Sequence, residues 1–172
     1  MTPGSVDGRK SAGGGTAGAT DAAAPVLVLA VGNTLLGDDG VGQALLDRLR
    51  EFDWPAEVEL LDGGTQGLAL LGRLAGRRAL VVLDAVALAA EPGTVHTLRE
   101  WKKAGVRAGT AHESNVGELL QAAILLGDCP DRVAVIGIEP ASLATGIGLS
   151  EAVAGAIPAA VEVARRVIEE VL

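Results

Sequence analysis

Residues 26–42 read VLVLAVGNTLLGDDGVG, and this stretch decides the fold. Its first six residues form an apolar, β-branched run without the polar alternation of a half-exposed strand, which predicts a strand buried on both faces. A glycine-rich loop follows, and after it Val41, Leu45, Leu46 and Leu49 stand at helical spacing. A buried strand that leads through a short loop into a helix is typical of a parallel α/β unit.

The same alternation of strand and helix continues along the chain. Apolar runs recur at 79–83 and 133–138, and the stretches between them have helical spacing. We therefore expect an α/β fold, a three-layer sandwich in which a mostly parallel, twisted sheet of about five strands carries helices on both faces. The predicted strands lie at 26–31, 57–61, 78–83 and 132–138, with a candidate antiparallel edge strand at 94–98, and the predicted helices at 40–51, 66–75, 115–127 and 151–171.

The chain divides into a short tail and one domain. Residues 1–24 are rich in Gly, Ala, Ser and Thr and have too few large apolar side chains to offset the entropy of ordering, so we expect a disordered N-terminal tail. Residues 25–172 are predicted to form a single α/β domain. No stretch reaches the roughly 18 uninterrupted apolar residues of a membrane-spanning helix.

Charge and cysteine content narrow the possible partners and compartment. The net charge of −8, from 22 acidic and 14 basic residues, would repel nucleic acid phosphates and anionic lipid head groups. The single cysteine, Cys129, cannot form an intramolecular disulfide, which fits a reducing compartment. We therefore expect a soluble, cytoplasmic protein that binds neither nucleic acid nor membranes.

Polar residues gather where the predicted strands end. Asp38 and Asp39 follow the first strand, Asp62 begins the segment 62–65 after the second, Asp84 ends the third, and His112 precedes a helix. Because ligands of an open parallel sheet bind beyond the carboxyl ends of its strands, we expect these side chains on one rim. Two carboxylates and one imidazole suit a divalent transition metal such as nickel or zinc.

Each of these residues also has a structural explanation. Asp38 or Asp39 can cap the helix that begins near Gly40, and we expect one of the pair to do so. Asp84 can cap a turn, and turn chemistry accounts equally well for Asp62 and its Gly-Gly-Thr continuation. The other histidine, His96, lies in the alternating edge strand, where we expect it to face solvent or pack at the margin without a functional role.

The sequence lacks the motifs of several other enzyme classes. The loop after the first strand has the order of a nucleotide site but matches neither G-x-G-x-x-G nor G-x-x-x-x-G-K-S/T, so no organic cofactor is predicted. No G-x-S-x-G elbow occurs, and Cys129 lies at the opposite end of its helix from His112, which disfavours a nucleophilic dyad. A small nucleotide-binding domain remains an alternative because of the α/β pattern and the glycine loop.

The segments 31–33, 36–42 and 61–65, taken together, resemble the hydrogenase maturation proteases. Asp84-Ala85 at a strand end, His112-Glu113 before a helix, and residues 137–140 after the last strand occur in the order of that family's landmarks. The resemblance covers residues 26–172, which is the whole predicted domain.

The resemblance implies an endopeptidase that removes a C-terminal extension from the large-subunit precursor of a nickel-iron hydrogenase after nickel insertion. The precursor would be the partner, and it would itself supply the nickel. A nickel-dependent chaperone that binds the precursor without cutting it is an alternative. The residues carried over from the family are Asp39, Asp84 and His112 for metal binding and catalysis, and Asp38, Asp62, Gly63, Gly64 and Thr65 for substrate binding.

Overall fold

The computed structural model of the protein describes residues 1, 24–99 and 115–172. Most of the predicted disordered tail and the predicted ligand His112 lie outside these residues. The described part contains a five-stranded sheet with the strand order β2-β1-β3-β5-β4. The strands are β1 (Val26–Val31), β2 (Val58–Gly64), β3 (Ala79–Ala85), β4 (Val95–Leu98) and β5 (Arg132–Ile138).

Four neighbouring strands of the sheet are parallel, and one edge strand runs the other way. β1 pairs in parallel with both β2 and β3, and β3 pairs in parallel with β5. β4 pairs antiparallel with β5 at the edge. The predicted mostly parallel sheet with an antiparallel edge strand is confirmed.

Helices cover both faces of the sheet. The two 3-10 turns Gly37–Gly40 and Gly67–Leu70 lead into the first two helices, so the helix predicted from residue 40 begins as a 3-10 turn before its α-helical part. No helix of the described residues is long and apolar enough to cross a membrane. The α-helices are α1 (Val41–Leu49), α2 (Leu71–Leu74), α3 (Asn115–Leu126) and α4 (Glu151–Val171).

Two apolar layers hold the sandwich together. Alternate residues of a strand point to opposite faces of the sheet. Accordingly, Val26 and Val28 of β1 belong to the core that includes buried residues of α1 and α4, and Leu27 and Leu29 belong to the core that includes α2 and α3. Burial of each such large side chain stabilises the fold by about 1.5–3 kcal/mol. Both faces of β1 are therefore apolar, as the uninterrupted run in its sequence indicates.

Gly42 brings α1 unusually close to the carboxyl ends of two strands. A Cβ atom at this position would lie 2.3 Å from the backbone oxygen of Val31 and 2.5 Å from that of Leu83. Only glycine allows this approach, because real Cβ atoms essentially never come so near to backbone. The loop before α1 is thereby held over the ends of β1 and β3, where the candidate site lies.

Candidate functional site

Asp84 is a buried carboxyl at the carboxyl end of β3. Only 6% of its surface is exposed, and its Oδ1 accepts a 2.8 Å hydrogen bond from the backbone N–H of Ala85. Desolvation by burial, reinforced by the nearby negative charge of Asp39 and opposed by the Ala85 hydrogen bond, raises the pKa of Asp84 to about 8. The Asp84 carboxyl is therefore mainly protonated at neutral pH.

Asp39 lies in the 3-10 turn that precedes α1. Its Oδ2 accepts a 2.7 Å hydrogen bond from the backbone N–H of Asn33, which fixes the carboxylate across the loop. The charge of Asp39 acts on the Asp84 carboxyl strongly enough to contribute to its raised pKa. The structure thus brings two of the three predicted metal ligands into one site at the carboxyl edge of the sheet.

Neither Asp38 nor Asp39 caps a helix, so that part of the sequence interpretation is wrong. The cap residue of α1 is Gly40, which makes no side-chain cap bond, and the preceding 3-10 turn begins after Leu36, also without one. The reason is that each aspartate has a partner further away. Asp39 bonds the N–H of Asn33, and Asp38 bonds a loop more than 100 residues along the chain.

Asp38 joins the first loop to the segment between β5 and α4. Its Oδ2 accepts hydrogen bonds from the backbone N–H groups of Ala141 at 2.8 Å and Ser142 at 3.1 Å, and its Oδ1 accepts one from Ser150 at 2.6 Å. Burial alone would raise its pKa, but the hydrogen bonds from these three residues lower it. With 1% of its surface exposed, Asp38 holds the two loops together, and its predicted part in substrate binding stays a prediction.

The segment 62–65, at the carboxyl end of β2, borders a polar groove of about 240 Å³. Asp62 is exposed, and its Oδ1 accepts hydrogen bonds from the Gly64 N–H at 3.0 Å and from Nε2 of Gln43 at 3.4 Å. Three of the four predicted binding residues of this segment therefore face the groove. Its lining consists of Gly32, Asn33, Thr34, Gln43, Asp62, Gly64 and Thr65.

Gly63 is the member of that segment that does not line the groove. It is buried, and a Cβ atom there would lie 2.8 Å from the Cδ1 atoms of both Leu29 and Leu70. Its lack of a side chain is therefore explained by packing in the core, and its predicted part in substrate binding stays a prediction.

A second pair of polar residues near this edge was missed by the sequence interpretation. Nε2 of His96 lies 2.9 Å from Oε2 of Glu139, and the two side chains are 13% and 6% exposed. The expectation that His96 faces solvent or packs at the margin without a role is thus wrong in one respect, because its side chain has a buried acidic partner. Glu139 directly follows the apolar run of β5, and an acid at the end of such a run is the same signal that identified Asp84 near the end of β3.

Burial and hydrogen bonding compete at the Glu139 carboxyl. Desolvation would raise its pKa, but hydrogen bonds from the Leu88 N–H, from His96 and from the Ala90 N–H lower it below its ordinary value. The carboxylate is therefore ionised at neutral pH.

His112 lies outside the described residues, so its convergence with Asp39 and Asp84 stays a prediction. Within residues 24–99 and 115–172 no group of three or more His, Cys, Asp or Glu side chains could hold a metal ion. The described residues contain two carboxyls of the predicted ligand set, Asp39 and Asp84, and the prediction requires His112 as the third ligand.

Comparisons with known proteins agree on one family. A family model described as hydrogenase maturation protease matches residues 44–167. The hydrogenase expression/formation protein HupD of Rhodobacter capsulatus is 41% identical over 146 residues, which are 82% of this chain and 70% of that protein. The hydrogenase 2 maturation protease of Escherichia coli K12 is 35% identical over 141 residues, which are 80% of this chain and 86% of that protein.

Solved structures extend the similarity to the fold. The hydrogenase maturating endopeptidase HybD from Escherichia coli superimposes with a TM-score of 0.77 at 34% identity, covering 84% of this chain and 92% of that one. The HybD protease from Thermococcus kodakarensis gives a TM-score of 0.67 at 26% identity, covering 83% of this chain and 98% of that one. The mostly parallel sheet with helices on both faces is thus shared with proteins named as peptidases.

Proposed function

Because this chain belongs to the hydrogenase maturation proteases, we propose that it removes the C-terminal extension of a nickel-iron hydrogenase large-subunit precursor after nickel has been inserted. The chain is a peptidase by family. Beyond peptidase activity, the proposal specifies the substrate, the position of the cut and the dependence on nickel. The pairing of Asp39 with the buried Asp84 is the observation that carries it.

The two carboxyls are arranged so that a cation changes their charge state. In the free protein, burial and the negative charge of Asp39 keep Asp84 protonated. A divalent ion placed beside both groups offsets the desolvation and the repulsion, and so favours the ionised form that binds metal. A precursor that carries nickel supplies this ion, and an unloaded precursor does not. Docking of the loaded precursor is therefore favoured.

The proposed third ligand is His112, on the resemblance alone. A neutral imidazole nitrogen completes a set of two oxygens and one nitrogen that suits nickel. Carboxylates bind metal when ionised and histidine when neutral, so activity should fall at acid pH. A pH profile that does not change when His112 is replaced would contradict its role.

The groove next to the first loop supports a role in holding the substrate chain. Asp62, Gly64 and Thr65 border it on one side and the residues 32–34 on the other. Asn33 connects the two parts of the site, because it lines the groove and its N–H binds Asp39. A peptide segment seated there would lie beside the carboxylates.

Hydrolysis adds one water across the scissile bond, giving a carboxylate on one product and an amine on the other. Two routes fit the residues present: the precursor's nickel polarises the peptide carbonyl, or a carboxylate acts as general base toward the water. The variant Asp39→Asn distinguishes these two routes. If nickel-dependent binding is retained and cleavage is lost, Asp39 acts as the base. If binding and cleavage are lost together, Asp39 acts through metal recognition.

The proposal is tested by mass spectrometry of the precursor before and after incubation with the protein. We expect the nickel-loaded precursor to be shortened at its C-terminus and the nickel-free precursor to stay intact. Asp84→Asn should abolish the cut, whereas Asp47→Asn, which changes an exposed acid on α1, should not. Nickel-dependent binding without shortening would instead identify a chaperone, and stabilisation by nucleotides without cleavage would identify a nucleotide-binding domain.

A further inference from the structure

The turn that follows Asp84 contains a strained residue. Ala89 has a φ of +59° and is the one non-glycine residue with a positive φ among the described residues. Non-glycine residues rarely adopt this conformation, and such strain persists only where the surroundings impose it. Something must therefore hold residues 88–90 in place.

Glu139 binds the backbone on both sides of Ala89. Its Oε2 accepts a 2.8 Å hydrogen bond from the Leu88 N–H, and the Ala90 N–H also donates to its carboxylate. His96, on the antiparallel edge strand, contacts the same Oε2 at 2.9 Å. Backbone N–H groups around a left-handed residue form a concavity that suits an anion. The carboxylate of Glu139 occupies this concavity.

The same contacts connect the turn to Asp84 through β5. Asp84 is paired with Gly137 in the sheet, and the N–H of Val86 donates to the Ile138 oxygen at 3.1 Å. The backbone of Glu139 holds the far end of the segment, since its N–H donates to Thr94 and its oxygen accepts from Gly93, both at 2.8 Å. The chain from Asp84 to Thr94 is thus fixed at its start, in its strained middle and at its end.

We propose that Glu139, supported by His96, is a positioning residue that sets the place of the Asp84 carboxyl relative to Asp39 by holding the strained turn 88–90. The inference rests on the proposed function, in which Asp84 binds the precursor's nickel. Glu139 itself touches no substrate. Its effect is to prevent the backbone after Asp84 from relaxing, because a relaxed turn would let the end of β3 shift.

The test compares Glu139→Ala with a control that removes a similar ion pair elsewhere. Glu59 bonds Arg77 at 2.6 Å near the amino end of β2, the strand at the opposite edge of the sheet from β4. Glu59→Ala therefore removes a similar ion pair at a different place in the fold. For each variant, folding is checked by circular dichroism. The affinities for nickel-loaded and nickel-free large-subunit precursor are then measured together with kcat and KM for cleavage.

We expect Glu139→Ala to lower the preference for nickel-loaded over nickel-free precursor, and kcat with it, by about tenfold or more, as is usual when a residue supporting a metal ligand is removed. Affinity for the nickel-free precursor should not change. Glu139→Gln keeps an oxygen for the Leu88 and Ala90 N–H groups, so it should restore most of the preference. Glu59→Ala should retain both the preference and kcat.

The outcomes separate the two hypotheses. If the wild-type protein neither cleaves nor prefers the loaded precursor, the proposed function fails. If the wild-type protein does both and folded Glu139→Ala keeps the wild-type preference and kcat, the positioning role is overturned. If Glu139→Ala does not fold, the variant His96→Ala provides the test of the positioning role. It keeps the Glu139 carboxylate in the turn and removes only the histidine that supports it. A lowered nickel preference supports the role, and an unchanged preference refutes it.

Discussion

Oδ1 of Asp38 accepts a 2.6 Å hydrogen bond from the backbone N–H of Ser150, the residue that caps α4. The first loop of the domain is thereby joined to its last helix. The hydroxyl of Ser150 in turn accepts from the N–H of Val153 inside the helix. One buried carboxylate thus determines both where the first loop lies and where the final helix begins.

Asp38→Ala should destabilise the protein. It leaves three part-buried backbone N–H groups without their acceptor, and we expect a cost of about 1–3 kcal/mol in total, because water can replace part of the lost bonding. Urea unfolding of the variant and the wild type measures the difference. Asp47→Asn, an exposed change, should stay within about 0.5 kcal/mol of the wild type. Equal midpoints for Asp38→Ala and Asp47→Asn would refute this account of Asp38.

Asp84→Asn should change how stability depends on pH. The pKa of Asp84 is about 8 in the folded protein and 3.8 in the reference state, so the folded state holds the proton more tightly. The contribution of Asp84 to wild-type stability is therefore present below about pH 4 and is lost as pH rises toward 8. Asn has no proton to lose. Relative to the wild type, the melting temperature of Asp84→Asn should rise from pH 4 to 8 and then level off. If the melting temperatures of the two proteins change in parallel with pH, the raised pKa of Asp84 is contradicted.

Gly42→Ala should displace α1 and lower both stability and activity. The added Cβ would meet backbone oxygens at 2.3 and 2.5 Å, which cannot move aside as a flexible side chain could. We expect a loss of about 1–3 kcal/mol, the usual range for overpacking. Cleavage should fall too, because Asp39 lies just before the displaced helix. Gly72→Ala is the matched control, since no atom lies within 4 Å of the added Cβ, and alanine should raise stability by about 0.5–1 kcal/mol.

Ala89→Gly should stabilise the fold. Glycine adopts the positive φ of this position without the cost of about 1–2 kcal/mol that other residues bear, and part of that gain is offset by its greater freedom in the unfolded chain. A net gain of about 0.5–1 kcal/mol is expected from calorimetry. Ala87→Gly, just before the turn and without a positive φ, should lower stability instead. If both variants lose stability equally, Ala89 is not strained.

The strands and their order were the features of the fold that the sequence predicted best. The bounds of β1 and β5 agree with the predicted 26–31 and 132–138, because their apolar runs end abruptly. β2 and β3 extend past their predicted ends to Gly64 and Ala85. Asp62 and Asp84 remain within the strands, and a pattern based on apolar residues stops where the first charge appears.

The placement of the site residues was predictable where it depends on strand order and unpredictable where it depends on loop conformation. Carboxyl ends of parallel strands share an edge, so the convergence of Asp39 and Asp84 follows from the strand order. The bonds of Asp38 to residues 141–150 and of Glu139 to residues 88–96 join segments far apart in sequence. Each depends on the path of two loops at once, and no local pattern records that path.

If Asp84 binds the precursor's nickel as proposed, its raised pKa makes that binding an exchange of ions. A proton must leave the carboxyl as the metal arrives, so the two compete for the same pair of oxygens. Below pH 8 each unit of acidification should then weaken nickel binding by up to about tenfold for the single proton involved. Acid stress would then slow hydrogenase maturation even in cells well supplied with nickel.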